Sequence, residues 1–224
     1  MITTQVPRML LRWSFRLLYN QLAWAYDAVA WGVSLGQWKA WGRTIFPYLR
    51  GPRVLDLAHG PGHLLTAMRA AGYQSVGYDL SPSMGRLARR NMAHRGVAIP
   101  LALGLAQELP FPTGTFNSVV STFPAEFILH PVTWREVARV LAPDGIFIVV
   151  PTAFLTGLGP LERLQASLVA PAGGQPSGEI NLPPHFAAAG FTSEVEWISL
   201  RRGRVMLILN YPRSDRPGSR DSDR

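Results

Sequence analysis

Two segments of the chain combine residue types that could hold a ligand. Val54-Leu-Asp-Leu-Ala-His-Gly-Pro-Gly-His63 is an apolar run that ends in a glycine turn. Glycines at 60 and 62 let the backbone come close to a ligand, and a helix that opens at such a turn presents free N–H groups to it. Nineteen residues beyond Gly60, Asp79 closes a second short apolar run. An acid there can accept hydrogen bonds from both hydroxyls of a ribose. A dinucleotide fingerprint also sets an acid about twenty residues after its glycines. However, His59-Gly-Pro-Gly-His-Leu-Leu65 lacks the third glycine of that fingerprint, and Asp56 at the end of the first run would repel a pyrophosphate. The pattern favours a nucleoside without phosphates that carries a positive centre.

The elements that must position these residues alternate. Arg53–Leu57 reads as a strand and Gly62–Ala71 as a helix stopped by Gly72. Gln74–Asp79 reads as a second strand. Ser81 and Pro82 open a helix through about His94, with Ser81 as N-cap and Pro82 in the first turn. Val97–Leu103, Phe116–Thr122 and Ile146–Val150 read as further strands, with a helix over Thr133–Leu141 and a turn at Ala142-Pro-Asp-Gly145. Thr192–Leu200 and Arg204–Tyr211 form a hairpin around Arg201-Arg-Gly203. Between them, Leu158–Val169 and His185–Ala189 read as helices flanking a loop at Ala170–Gly178. Strands and helices in this order imply an open α/β doubly wound sheet of seven strands, mostly parallel, with an antiparallel C-terminal strand. Ligands in such sheets sit at the C-terminal strand ends, where the strand order reverses.

The first 50 residues read as helical. Arg8, Arg12 and Arg16 repeat every four residues and share a face. Trp24, Trp31 and Trp38 repeat every seven, and Gly32 and Gly36 break the helix before a second one over Gln37–Leu49. Two readings are open: the tryptophans pack on the core, or the segment is a lid or interfacial helix meeting a lipid-like substrate at a membrane surface. The expected organisation is a helical extension or lid over 1–50, a ligand-binding domain over 51–211, and a disordered basic tail over 212–224.

Composition narrows the classes. Among 224 residues, 47% are hydrophobic and 16% charged, enough apolar material for a sizeable core. Cysteine is absent, which excludes disulfides, cysteine-ligated zinc, iron–sulfur clusters and thiol catalysis. The net charge of +8 is carried by the ends, with +5 over residues 1–50, +4 over 201–224 and −1 between. A nucleic-acid binder would carry a basic face on its body instead. Leu17–Leu35 contains Asn20, Gln21 and Asp27 and reads poorly as a membrane span. With no clear secretory signal, a cytoplasmic address is expected, with peripheral membrane contact through the N-terminal helices left open.

The ordered set of motifs resembles the S-adenosylmethionine-dependent methyltransferases of the Rossmann-like class. Val54-Leu-Asp-Leu-Ala-His-Gly-Pro-Gly resembles their first motif and Gly77-Tyr-Asp-Leu-Ser-Pro-Ser-Met84 their second. Ala106-Gln-Glu-Leu-Pro-Phe-Pro112 resembles the segment beside the adenine, and Trp134-Arg-Glu-Val-Ala-Arg-Val-Leu-Ala-Pro-Asp-Gly145 the helix and turn before the fifth strand. Tyr26-Asp-Ala-Val-Ala-Trp31 is similar to the first helix of quinone-biosynthesis-type and related small-molecule methyltransferases. The resemblance implies S-adenosyl-L-methionine as cofactor. Asp56 then orients the network around its amino acid part, while Ala58, His59, Gly60 and Gly62 supply close backbone. Asp79 holds the ribose, Leu80 packs on the adenine, and Ala106 and Gln107 lie beside it. Phe123 flanks the methyl-transfer region, and Tyr26 closes over the cofactor. Ala58 stands where the family usually has glycine, Leu105 where it often has an acid, and Asp144 where a Pro-Gly-Gly turn has glycine.

Glu126 and His130, just past the fourth strand, are the candidate general bases, and His59 and His63 flank the glycine turn. No cluster of His, Asp or Glu has metal-ligand spacing, so no catalytic metal is expected. The expected function is methyl transfer to a small, apolar, quinone-like acceptor. One rival is an RNA or DNA methyltransferase, but Ser121-Thr-Phe-Pro-Ala-Glu126 stands where adenine N6 enzymes carry Asn/Asp-Pro-Pro-Tyr/Phe, and Asn181-Leu-Pro-Pro-His-Phe186 lies elsewhere. A second rival is a protein that binds the cofactor without catalysis, suggested by the missing acid at Leu105. No nucleic-acid partner is expected.

Overall fold

The structure is a computed structural model that describes residues 30–32, 34–156, 159 and 189–213. The expected helices over 158–169 and 185–189, the tail, and Tyr26, Arg8, Arg12, Arg16 and Trp24 lie outside the described residues, apart from Gly159, Ala189, Pro212 and Arg213.

Helix α1 (Trp38–Gly42) runs into a 3-10 helix, Arg43–Tyr48. Strand β1 (Arg53–Leu57), α2 (His63–Ala70), β2 (Gln74–Asp79), α3 (Pro82–Ala93) and β3 (Leu101–Leu103) follow. Then come β4 (Phe116–Thr122), a 3-10 turn (Glu126–Leu129), α4 (Pro131–Val140), β5 (Leu141–Leu155), β6 (Phe191–Leu200) and β7 (Gly203–Pro212). The seven strands lie in the order β3-β2-β1-β4-β5-β7-β6. Pairings from β3 to β5 are parallel, and β7 runs antiparallel to β5 and β6. The order reverses between β1 and β4, so their C-terminal ends open a crevice.

Period-two alternation along the strands builds two cores. Val54, Val120, Ile146, Ile148, Val150, Leu207 and Leu209 join Leu65 and Met68 of α2 and Ala88 and Met92 of α3. Leu55, Leu57, Val119, Phe147, Val149 and Ile208 face the other way, onto Trp134, Val137 and Val140 of α4. The sheet is therefore covered on both faces, as the alternation of elements predicts.

Three boundaries differ from the sequence reading. Strand β3 starts at Leu101 rather than Val97. Gly96, at φ +64°, ends the turn after α3, and the Pro100 carbonyl accepts from Gly77 N at 2.9 Å just ahead of the ladder. Strand β5 is three times as long as expected. Phe116 pairs with Leu141 and Ser118 with Ile146, so Ala142–Gly145 is an excursion within the strand. The second N-terminal helix splits, and Pro47 lies in its 3-10 part. Trp41 and Ile45 are buried in the same core as Val54, so residues 38–48 belong to the domain core rather than to a separate extension. The helix break falls where expected, with Leu35 and Gly36 at φ +47° and +79°.

Gly77 sits under the crossing of β2, β3 and α2. A Cβ there would lie 2.6 Å from Leu101 Cδ2, 2.7 Å from Leu65 Cδ1 and 2.8 Å from His59 Cδ2. Gly77→Ala should destabilise the fold by about 1–3 kcal/mol, read as a lower urea midpoint at unchanged slope.

Candidate functional site

The glycine turn is built from left-handed backbone. Ala58, Gly60 and Gly62 have φ of +63°, +53° and +76°. The turn closes through Gly62 N donating to His59 O at 3.1 Å, and Ala58 N donates to Tyr78 O at 2.7 Å. Gly62 is also a packing position: a Cβ would meet Ala88 Cβ at 3.0 Å, so α2 and α3 approach closely there. Ala58 adopts a conformation that costs an L-residue about 1–2 kcal/mol.

Asp79 is brought to this turn across nineteen residues. Its Oδ2 accepts from Gly60 N at 2.9 Å, and its Oδ1 accepts from Ser81 N at 2.8 Å. Ser81 in turn caps α3 by accepting from Met84 N. The carboxylate is thus fixed at the C-terminal end of β2, half-buried, with lone pairs left for further donors.

Asp56 lies below the turn, 1% exposed. Neither of its carboxylate oxygens has a hydrogen-bond partner among the described residues. Burial, and secondarily the charge of Asp79, push its carboxyl up to about 8. His59 is also buried, and loss of solvation lowers its pKa against the opposing pull of Asp79. Its Nδ1 lies 2.8 Å from Gly60 O. A carbonyl only accepts, so the neutral ring carries its proton on Nδ1 and leaves Nε2 as an acceptor. Asp79 and buried Asp56, with no buried Arg or Lys among the described residues, make a site that suits a positive ligand.

Beside Asp79 the surface turns apolar. Leu80, Leu103 and Leu105 are 62%, 58% and 46% exposed, and Leu103 is in register with Asp79. The missing acid at Leu105 therefore leaves an apolar side chain on the surface. Ala106 is buried and Gln107 half-buried in the segment that follows. Two features of this segment carry no motif that spacing could reveal. Arg139 donates to Phe111 O and Leu109 O, both at 2.7 Å, and pairs with Glu136 at 2.8 Å, which itself accepts from Leu109 N. Tyr78 donates to Glu108 O at 3.1 Å. The adenine-side segment is thus clamped to α4 and β2.

Phe123 follows β4 at φ +52°, with its N–H on Val150 O at 2.7 Å. Its ring lies 4.2 Å from that of Trp38 and 6.2 Å from that of Trp41. Of the tryptophan stripe, Trp38 therefore packs inward while Trp31 is 64% exposed. Glu126 opens the following 3-10 turn, exposed. His130 is an exposed N-cap of α4 whose Nδ1 accepts from Val132 N at 3.2 Å. The described residues hold no group of three or more His, Asp or Glu arranged for a metal.

Residues 54–145 match the family model for a methyltransferase domain. The chain is 35% identical over 142 residues to a demethylmenaquinone methyltransferase of Symbiobacterium thermophilum, a match that takes in 59% of this chain and 57% of that protein. It is 29% identical over 214 residues to one of Mycolicibacterium vanbaalenii, covering 85% and 91%. The first relatives of this kind are matched over less than two thirds of their own length. The fold is shared with a phosphoethanolamine N-methyltransferase of Haemonchus contortus in complex with phosphomonomethylethanolamine and S-adenosylhomocysteine, at TM-score 0.58 and 17% identity, covering 79% of this chain and 53% of that one.

Two outcomes follow from the turn and the buried acid. Ala58→Gly should raise stability by up to about 1 kcal/mol, because glycine meets a positive φ without strain; thermal unfolding checks it. An acid whose folded pKa is raised binds its proton more tightly in the native state. That contribution is complete below the unfolded value near 4 and is lost as pH rises toward 8. Asp56→Asn should therefore raise the stability of the ligand-free protein at pH 8 and make little difference at pH 4, read by urea unfolding at the two pH values.

Proposed function

We propose that the chain is a class I, Rossmann-like S-adenosylmethionine-dependent methyltransferase of the quinone-biosynthesis kind, transferring a methyl group to a small, apolar, quinone-like acceptor; the methyltransferase-domain match over residues 54–145 and the demethylmenaquinone methyltransferase relatives support this reading. The observation that carries the reading is the Gly60–Asp79 hydrogen bond above a buried, unpartnered Asp56. That arrangement fits an adenosine bearing positive groups. Asp56 is the acid toward which the cofactor's ammonium is directed, and Asp79 accepts from the ribose hydroxyls while its other bonds hold it still. Leu80 and Leu103 offer the adenine an apolar face, with Ala106 and Gln107 in the clamped segment alongside.

The cofactor, S-adenosyl-L-methionine, supplies an electrophilic methyl on a sulfonium that an acceptor displaces in line. The protein's part is to orient and to exclude water. Phe123, held by Trp38, walls the side of the crevice past β4. Where the acceptor must lose a proton, Glu126 is the assigned base. His130 spends Nδ1 on its cap, so only Nε2 remains for proton exchange. An apolar acceptor suits a cytoplasmic protein that meets the membrane at its periphery. No helix among the described residues is long and apolar enough to cross one.

Calorimetry should show S-adenosyl-L-methionine binding in the micromolar range. Asp79→Ala should weaken it by about a hundredfold or more, as loss of two charge-assisted hydrogen bonds requires. Asp79→Asn, which keeps the packing, should fall between. Unchanged affinity in both variants would remove the ribose assignment. A turnover screen over demethylated quinones, scored by S-adenosylhomocysteine formed, tests the acceptor class.

A further inference from the structure

A groove of about 610 Å³ lies away from the glycine turn, between the outer face of residues 36–48 and the edge strand β6. Lys39, Arg43, Ile198 and Leu200 line it. At its Gly36 end stand Leu35 and Trp31, 39% and 64% exposed, and the Trp31 carbonyl accepts from Gly36 N. Leu200, also on its lining, leads into the turn that carries the exposed Arg201 and Arg202. The apolar side chains are thus rimmed by four cations. No acid occurs between residues 28 and 55, and Glu196 of β6 is engaged by the Tyr48 hydroxyl.

We propose that this face docks the protein on an anionic lipid bilayer, an inference that rests on the apolar-acceptor reading above. Charge complementarity selects the occupant: each Lys or Arg near an anionic leaflet adds about 1 kcal/mol of attraction. A tryptophan among cations suits the headgroup boundary, and contiguous exposed apolar side chains mark an interaction surface. The face is also the outer side of the helix whose inner side holds the crevice. Lys39 and Ala40 line the groove, while Trp38 and Trp41 pack on Phe123. A lipid-soluble acceptor leaving the bilayer under α1 would therefore enter beside Phe123.

The test is sedimentation of the full chain with phosphatidylcholine vesicles and with vesicles of about one third phosphatidylglycerol. Binding is expected on the anionic vesicles alone and should fall with added salt. Reversing both charges in Lys39→Glu/Arg43→Glu should lower the partition coefficient about tenfold or more, and Arg201→Glu/Arg202→Glu should lower it likewise. Both double variants should bind S-adenosyl-L-methionine as the parent does. Partition equal to the parent in both variants, as binding through Arg8, Arg12 and Arg16 would give, overturns the proposal. So does indifference of the parent to lipid charge, or a dimer in solution that either variant dissociates. Failure of the methyltransferase reading would show separately, as no heat with the cofactor in the parent protein.

Discussion

A carboxylate held by two backbone N–H groups organises the site. Asp79 binds Gly60 N from the turn after β1 and Ser81 N from the start of α3. One side chain therefore sets the separation of two strand ends and fixes the direction in which α3 leaves the sheet. Charge-assisted bonds of this kind are about twice as strong as neutral ones, and here they hold a loop whose own backbone is strained at Ala58. The same carboxylate sits over Asp56, which has no partner of its own. Removing Asp79 would free the turn and also change the field felt by the buried acid.

The second organising contact is aromatic. Phe123 takes a left-handed conformation at the end of β4, and Trp38 stacks on it at 4.2 Å. Tilted aromatic pairs at this distance add about 0.5–1.5 kcal/mol beyond the area they bury. Their effect is to tie α1 to the wall of the crevice past β4. Trp41 and Ile45, wholly buried beneath, make residues 38–48 part of the core. α1 therefore forms one edge of the crevice past β4.

Much of this was legible in the sequence because it is local. The glycine turn, the Ser81-Pro82 cap and the strand alternation are written in short-range patterns with fixed periods. The pairing of Gly60 with Asp79 was legible too, because adjacent parallel strands joined by one helix leave little choice of register. What was hidden depends on packing at long range. The clamp of Arg139 on the carbonyls of Leu109 and Phe111 joins positions about thirty residues apart through no motif. The break beside Gly36 was legible, but which tryptophan packs inward was not: Trp38 meets Phe123, far along the chain, while Trp31 stays exposed. The excursion at Ala142–Gly145 reads from sequence as the turn between a helix and the fifth strand because Pro-Asp-Gly is turn chemistry, whereas β4 pairs on both sides of it.

Electrostatics give the site a direction as well as a preference. On the proposed reading, Asp79 would attract a cationic ligand, and buried Asp56, which holds its proton up to about pH 8 in the empty site, would give it up only against a cation placed beside it. At an effective dielectric of about 20, a unit charge some 8 Å from an acid is worth about 2 kcal/mol. A reaction that discharges one of those centres removes a term of this size from the bound state, while the hydrogen bonds at Asp79 and the apolar contacts at Leu80 persist. The product would then be held by those contacts and the remaining cation. On that reading the acids that favour the charged reactant would favour exchange of product for fresh reactant.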